Sequence, residues 1–170
     1  MPQNDAIQPS ANRPPMYGWL IFWLTAVSAV ILIGTNSPPD AWFEGLRKPF
    51  FNPPGVVFGP VWTLLYVLMA VAAWLVVRQA HVAWQKRRDA MLLMGLQLFL
   101  NALWSPLFFG LHSPGWALVD ICALWLAIVV TIRAFAVIRP AAAWMLAPYL
   151  LWVSFALVLN GTIWIMNRAT

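Results

Sequence analysis

The residues able to do chemistry in this chain are few, and most of them lie inside apolar runs. Asn101, Asp120 and Asn160 are polar groups within charge-poor stretches, accompanied by twelve tryptophans. Two histidines, His81 and His112, and one cysteine, Cys122, are too few and too scattered for a metal-ligand set. The only lysines, Lys48 and Lys86, sit in predicted loops, which excludes an intramembrane Schiff base. No Ser-His-Asp arrangement is evident. What remains is a set of flat indole surfaces, suited to stacking on a flat apolar molecule, with a few amides and one carboxyl at its edge.

These groups need elements to carry them, and composition names the solvent of those elements. The chain is 62% hydrophobic and 9% charged, whereas a soluble domain carries roughly 25% charged residues. So few charges cannot cover a water-exposed surface, so lipid must cover much of it. The runs 14–39, 49–77, 90–119, 121–132 and 140–167 contain no Asp, Glu, Lys or Arg. Their apolar residues are continuous rather than alternating, which predicts helices. The expected architecture is all-α, a bundle of five transmembrane helices near 16–35, 57–78, 90–110, 115–137 and 142–166. Residues 1–15 are polar and proline-rich and read as a disordered tail before a single membrane domain at 16–167. The formal charge of +5 sits in short loops, where topology selection places it, and does not point to nucleic acid.

Alternating the sides of these helices separates Arg13, Arg78, Lys86, Arg87, Arg88, Arg133 and Arg139 from Arg47, Lys48 and Arg168. The positive-inside rule then puts the N-terminus in the cytoplasm and the 36–56 loop and C-terminus outside. In that topology Gln97, Asn101, Trp104 and Phe108 fall on one face of the third helix. Asn101, Trp104 and Phe108, with Trp62, Tyr66, Asp120 and Asn160, gather in the outer half of the bundle, with Trp152 near its middle. Polar side chains there must face the bundle interior or a cavity, because a central Asp in lipid costs about 2.5–3.5 kcal/mol. Interhelical hydrogen bonding accounts for each alone; their convergence with aromatics under the longest loop predicts a lidded pocket. Trp19, Trp84, Trp116, Trp144 and Trp164 lie near helix ends, as interfacial anchors do.

The segment WFEGLRKPFFNPPGVVFGPVWTLLY, residues 42–66, resembles the signature of the TspO/MBR family, also called translocator proteins or tryptophan-rich sensory proteins. NALWSPLFF (101–109), ALVDICALWL (117–126) and PYLLWVSFALVLN (148–160) resemble the family's third, fourth and fifth helices. The resemblance implies a five-helix membrane protein, usually a homodimer, with a cavity capped by the first loop. It implies protoporphyrin IX, haem or another apolar small molecule as ligand, with no resident cofactor or metal required. Membrane lipid is the other partner, and a bacterial cell membrane the default location. The implied ligand-binding residues are Trp42, Phe43, Lys48, Pro49, Phe58, Trp62, Tyr66, Asn101, Trp104, Asp120, Trp152, Ala156 and Asn160, with Pro53 and Pro54 in the lid. If the protein degrades porphyrin, Trp62 and Trp152 match the family's catalytic tryptophans; transport, sensing and degradation all stay open.

Two departures bear on specificity. Position 43 is Phe where the family usually has Tyr. The run Leu159-Asn160-Gly161-Thr162-Ile163-Trp164 lacks the Tyr of a sterol-recognition pattern, which makes a sterol ligand the weaker expectation. Lys48 and Arg47 near the mouth are expected partners for a propionate. His112 is a candidate axial haem ligand, against the plainer expectation of an interfacial histidine.

Overall fold

The computed structural model describes residues 16–168, so the tail expected at 1–15 lies outside the described residues. Seven α-helical segments follow one another: α1 Met16–Thr35, α2 Ala41–Gly45, α3 Phe58–Val77, α4 Trp84–Ser105, α5 Pro114–Ile138, α6 Pro140–Met145 and α7 Ala147–Asn167. A 3₁₀ turn, Gly55–Val57, leads into α3, and a π-helical turn, Pro106–Gly110, prolongs α4. There are no strands among the described residues. Gly55–Val77, Trp84–Gly110, Pro114–Ile138 and Pro140–Asn167 are long and apolar enough to cross a membrane, and Tyr17–Val30 is a shorter apolar helix. The molecule is an all-helical integral membrane protein.

The differences from the sequence reading have local causes. The third long helix starts at Trp84 rather than 90, so Lys86 and its basic neighbours occupy its first turns instead of a loop. The apolar run marks where lipid begins, not where the helix does. Arg87 holds the junction there: Nε donates to Val82 O at 3.1 Å and Nη1 to Val77 O at 2.9 Å, satisfying carbonyls at the end of α3 and in the turn after it. The last span is broken in two at Leu146. Pro148 has no N–H to offer the carbonyl four residues back, and the chain re-enters helix with that proline in its first turn. Pro106 acts similarly on α4. The widened turn after it is closed by Leu111 N to Pro106 O at 2.8 Å and Ser113 N to Leu107 O at 3.1 Å. His112 then takes a left-handed backbone, φ 50°, a conformation histidine adopts more readily than most residues.

Around the bundle, α1 packs on α3 and α4, α4 on α5, α5 on α6 and α7, and α6 on α3. The half remote from α2 is solid. Met69, Met94, Ile128, Phe135, Leu146 and Tyr149 are buried there, and Ala70, Ala72 and Ala73 let α3 approach its neighbours closely. The outer surface carries Leu92, Leu96, Phe99, Leu126, Val130 and Leu151 exposed, as a lipid-facing belt requires. Trp84, Trp116 and Trp144 are exposed at helix ends, in keeping with the anchor expectation. Trp19 is only half-buried.

Close packing through small residues makes this half intolerant of bulk. Ala73→Leu is expected to cost about 1–3 kcal/mol, read as a lowered thermal unfolding midpoint in detergent. An unchanged midpoint would show that α3 does not approach its neighbours as described.

Candidate ligand cavity

In the half beneath α2 the helices do not close. They leave a cavity of about 660 Å³, within the roughly 300–1,000 Å³ range of small-molecule sites. Its walls come from the first turns of α3, the end of α4 with its π turn, the middle of α5 and the central and later turns of α7. The 36–56 segment, which follows α1 and contains α2, roofs it.

Trp62, Trp104 and Trp152 all line this one space. Each is fixed by neighbours. Trp62 stacks on Tyr66, centroids 5.2 Å apart at 28°, and meets Tyr149 edge-on at 6.2 Å. Trp104 stacks on Phe108 at 5.0 Å. Trp152 meets Phe58 edge-on at 5.7 Å and tilts against Phe155 at 5.6 Å.

Behind the rings, buried amides tie the helices together. Tyr66 OH donates to Asn101 Oδ1 at 2.8 Å, and Asn101 Nδ2 donates to Tyr149 OH at 3.1 Å, joining α3, α4 and α7. Trp104 Nε1 donates to Asn160 Oδ1 at 3.0 Å, while Asn160 Nδ2 donates to Pro114 O at 2.8 Å, joining α4, α7 and α5. Away from the cavity, Trp125 Nε1 donates to Ser154 Oγ at 2.8 Å. The asparagines therefore both line the cavity and cross-link the bundle.

The roof is built by short-range rules. Asp40 caps α2, accepting from Phe43 N at 3.1 Å. That bond, followed by His112 alongside, holds the Asp40 carboxyl below the usual carboxylate range. Trp42 and Phe43 pack edge-on against Phe108, and Phe43 also against Phe109. Lys48 lines the cavity, its Nζ 4.3 Å from the Phe43 ring centroid and donating to Glu44 O at 3.3 Å. The far end of the roof is pinned to α7: Arg47 N donates to Asn167 Oδ1 at 2.9 Å and Asn167 Nδ2 to Arg47 O at 3.0 Å.

Of the expected ligand-binding residues, Phe43, Lys48, Phe58, Trp62, Tyr66, Asn101, Trp104, Trp152, Ala156 and Asn160 line the cavity. Trp42, Pro49 and Asp120 do not. Trp42 is turned to the back of the roof by its stack on His112. Asp120 is 5% exposed inside the bundle, and neither carboxylate oxygen has a hydrogen-bond partner among the described residues. Arg47 is exposed and held through its backbone, outside the cavity lining. Gln97 shares the helix face of Asn101 but is buried below the cavity, with Nε2 on Met94 Sδ at 2.6 Å. His112 lies off the cavity, paired with Asp40, so it does not face a ligand there. Tyr149 escaped the sequence reading; its place directly after Pro148 and one turn before Val153 was the available signal. No group of three His, Cys, Asp or Glu able to hold a metal occurs among the described residues.

The sequence model of the TspO/MBR family matches residues 19–165, nearly all the described chain. The chain belongs to the TspO/MBR family. It is 42% identical over 135 residues to the tryptophan-rich protein TspO of Chlorobaculum tepidum, covering 78% of this chain and 84% of that relative. The TspO of Archaeoglobus fulgidus is 39% identical over 154 residues, 85% of this chain and 95% of its own. The human translocator protein is 40% identical over 127 residues, 75% of each chain. The cavity of this TspO/MBR protein is lined by aromatic faces, the amides of Asn52, Asn101 and Asn160, the Tyr66 phenol and the Lys48 ammonium.

The Asn101 bridge gives a direct test. Asn101→Leu would strand the Tyr66 and Tyr149 hydroxyls in an apolar interior. An interhelical hydrogen bond contributes only about 0.6 kcal/mol, but unpaired buried groups cost about 1–3 kcal/mol. The thermal midpoint in detergent should fall accordingly, and adding Tyr66→Phe should recover part of the loss. No recovery in the double variant would mean the bridge does not carry the effect.

Proposed function

We propose that this protein binds a flat, largely apolar carboxylic acid of the tetrapyrrole class, such as protoporphyrin IX or haem, in the cavity beneath α2. The observation that carries this reading is the convergence of Trp62, Trp104 and Trp152 on one 660 Å³ space with Lys48 at its roof. Indole faces suit a flat ring, and the ammonium suits a propionate. The ligand-binding role is that of a sensor or carrier. Five spans serve the fold in this reading: α1, α3, α4 with its π turn, α5, and α6 with α7. The α2 side faces outward and the α3–α4 turn faces the cytoplasm of a bacterial cell, by the distribution of basic residues. A homodimer through lipid-facing helix surfaces completes the proposal.

Light- and oxygen-dependent porphyrin breakdown is the second reading. A specific observation favours keeping it: Trp62 and Trp152 border the same cavity, and neither indole N–H makes a hydrogen bond among the described residues. Its chemistry would come from the pigment, with the indoles as oxidisable neighbours.

One titration separates these ideas. Lys48→Met should weaken protoporphyrin IX binding by about 1 kcal/mol, roughly fivefold, and leave its dimethyl ester unaffected. Equal loss for acid and ester would remove the propionate contact. In the double variant Trp62→Phe, Trp152→Phe, stacking survives and binding should weaken only modestly. If illumination of the unmodified protein yields tetrapyrrole products that the double variant fails to make, the protein degrades; if light and dark samples match, it only binds.

The orientation is tested by cysteine accessibility in intact cells, with Cys122 replaced. Gly45→Cys should label from outside and Ala80→Cys only after permeabilisation. Labelling of both from one side would refute the topology.

A further inference from the structure

Beside its apolar anchorage, the roof is hydrogen-bonded to the bundle at two points of different chemistry. At one end Asn167 grips the backbone of Arg47 with uncharged hydrogen bonds. At the other, His112 Nε2 lies 2.9 Å from Asp40 Oδ2, and the imidazole stacks on the Trp42 ring with centroids 4.4 Å apart at 21°. Asp40 is at once the cap of α2 and the partner of His112. The histidine presents its ring from a left-handed backbone at the end of the π turn, φ 50°, a conformation that costs most side chains and that the Asp40 and Trp42 contacts hold in place. The cavity lining includes Phe43, one residue beyond Trp42.

We propose that Asp40, His112 and Trp42 form a pH-sensitive latch that holds the roof down more firmly when His112 is protonated. As regulation of ligand retention this rests on the ligand-binding reading above; as a property of the roof it stands apart from it. Imidazoles change charge between about pH 5 and 8. Neutral His112 can donate one hydrogen bond to Asp40. Protonated, it adds an ion pair to the carboxylate and a cation over the Trp42 face. Asp40 stays ionised throughout that window, because the Phe43 N–H and then His112 itself lower its pKa. The sign follows: the added hold is present when the imidazole is charged, at the acid end of that range, and absent when it is neutral.

The surrounding charges leave that sign in place. On the roof, Glu44, Arg47 and Lys48 accompany Asp40, with Lys48 turned toward Phe43 and the cavity. The π turn and the start of α5, Ser113 to Trp116, carry no charge. Just past α7, Arg168 lines the same shallow cleft as His112, a cation whose repulsion Asp40, in direct contact with His112, opposes. His112 and Asp40 are more than two-fifths exposed, 43% and 44%, so water screens the pair and the effect is a matter of a few fold.

The test reads the roof directly. Hydrogen exchange of residues 40–47 is followed in ligand-free full-length protein in zwitterionic nanodiscs at about pH 5.5 and about pH 8, corrected for intrinsic exchange. Protection should be about threefold greater at the lower pH. His112→Asn keeps a residue tolerant of positive φ but cannot titrate, and should abolish the pH dependence; Asp40→Asn keeps the helix cap but removes the charge, and should reduce it to what the Trp42 contact supplies. Release of protoporphyrin IX is timed in parallel and should slow at low pH by a similar factor. Roof protection that titrates while protoporphyrin fails to bind supports the latch and removes the tetrapyrrole reading. Protoporphyrin that binds while roof protection is equal at both pH values, or titrates unchanged in both variants, overturns the latch alone.

Discussion

A polar group inside hydrocarbon has no water to fall back on, and the cavity exists because this chain meets that constraint with side chains that bridge helices. Asn101 and Asn160 each engage two partners on other helices. A helix bundle left to apolar packing alone would close over a void, since lining atoms without neighbours forfeit dispersion energy. Here the walls are pinned from behind. Tyr66 and Tyr149 are drawn to Asn101, and Trp104 is drawn to Asn160, so the rings cannot collapse inward without stranding donors and acceptors. The same amides that cross-link the bundle therefore keep the space open.

The roof obeys a different economy because it lies at the water boundary, where hydrogen bonds are weaker and chain entropy dominates. Pro49, Pro53, Pro54 and Pro60 restrict the backbone before folding begins. Five residues of helix need a cap, which Asp40 supplies, and apolar anchorage, which Trp42, Phe43, Leu46 and Phe51 find on the Phe108, Ala117, Leu159 and Ile163 cluster. Such a segment is held by a handful of contacts, each of modest worth. It is the part of the molecule best placed to open locally while the cross-linked walls stay fixed.

How much of this was legible in the sequence depends on the range of the interaction. Charge-free runs located the helices because burial in lipid is a property of a stretch. They misplaced the start of α4, because a helix continues into water past Lys86 where hydropathy gives no sign of it. The grouping of Trp62, Asn101, Trp104, Trp152 and Asn160 was legible from depth along alternating helices. Rotation about each helix axis was not, and that separates Trp42 and Asp120 from the cavity; Gln97, on the face of Asn101, is separated by depth. The pairing of Arg47 with Asn167 spans 120 residues, and that of His112 with Asp40 spans 72. Nothing local in the chain announces either.

The three cavity tryptophans are also not equivalent, although composition makes them look so. Trp104 commits its N–H to Asn160 and one face to Phe108. Trp62 gives one face to Tyr66, and Trp152 is contacted by Phe58 at its edge. Neither makes an indole hydrogen bond among the described residues. Trp104 is thus built into the scaffold, and its replacement would disturb the α4–α7 link before any ligand contact. Trp62 and Trp152 contribute ring surface without an N–H tie to the bundle, and ring packing alone holds them: Trp62 on Tyr66 and Tyr149, Trp152 on Phe58 and Phe155. The one carboxyl deep in the spans, Asp120, lies outside the cavity lining, so the lining combines aromatic surface with amides, hydroxyls and the Lys48 ammonium.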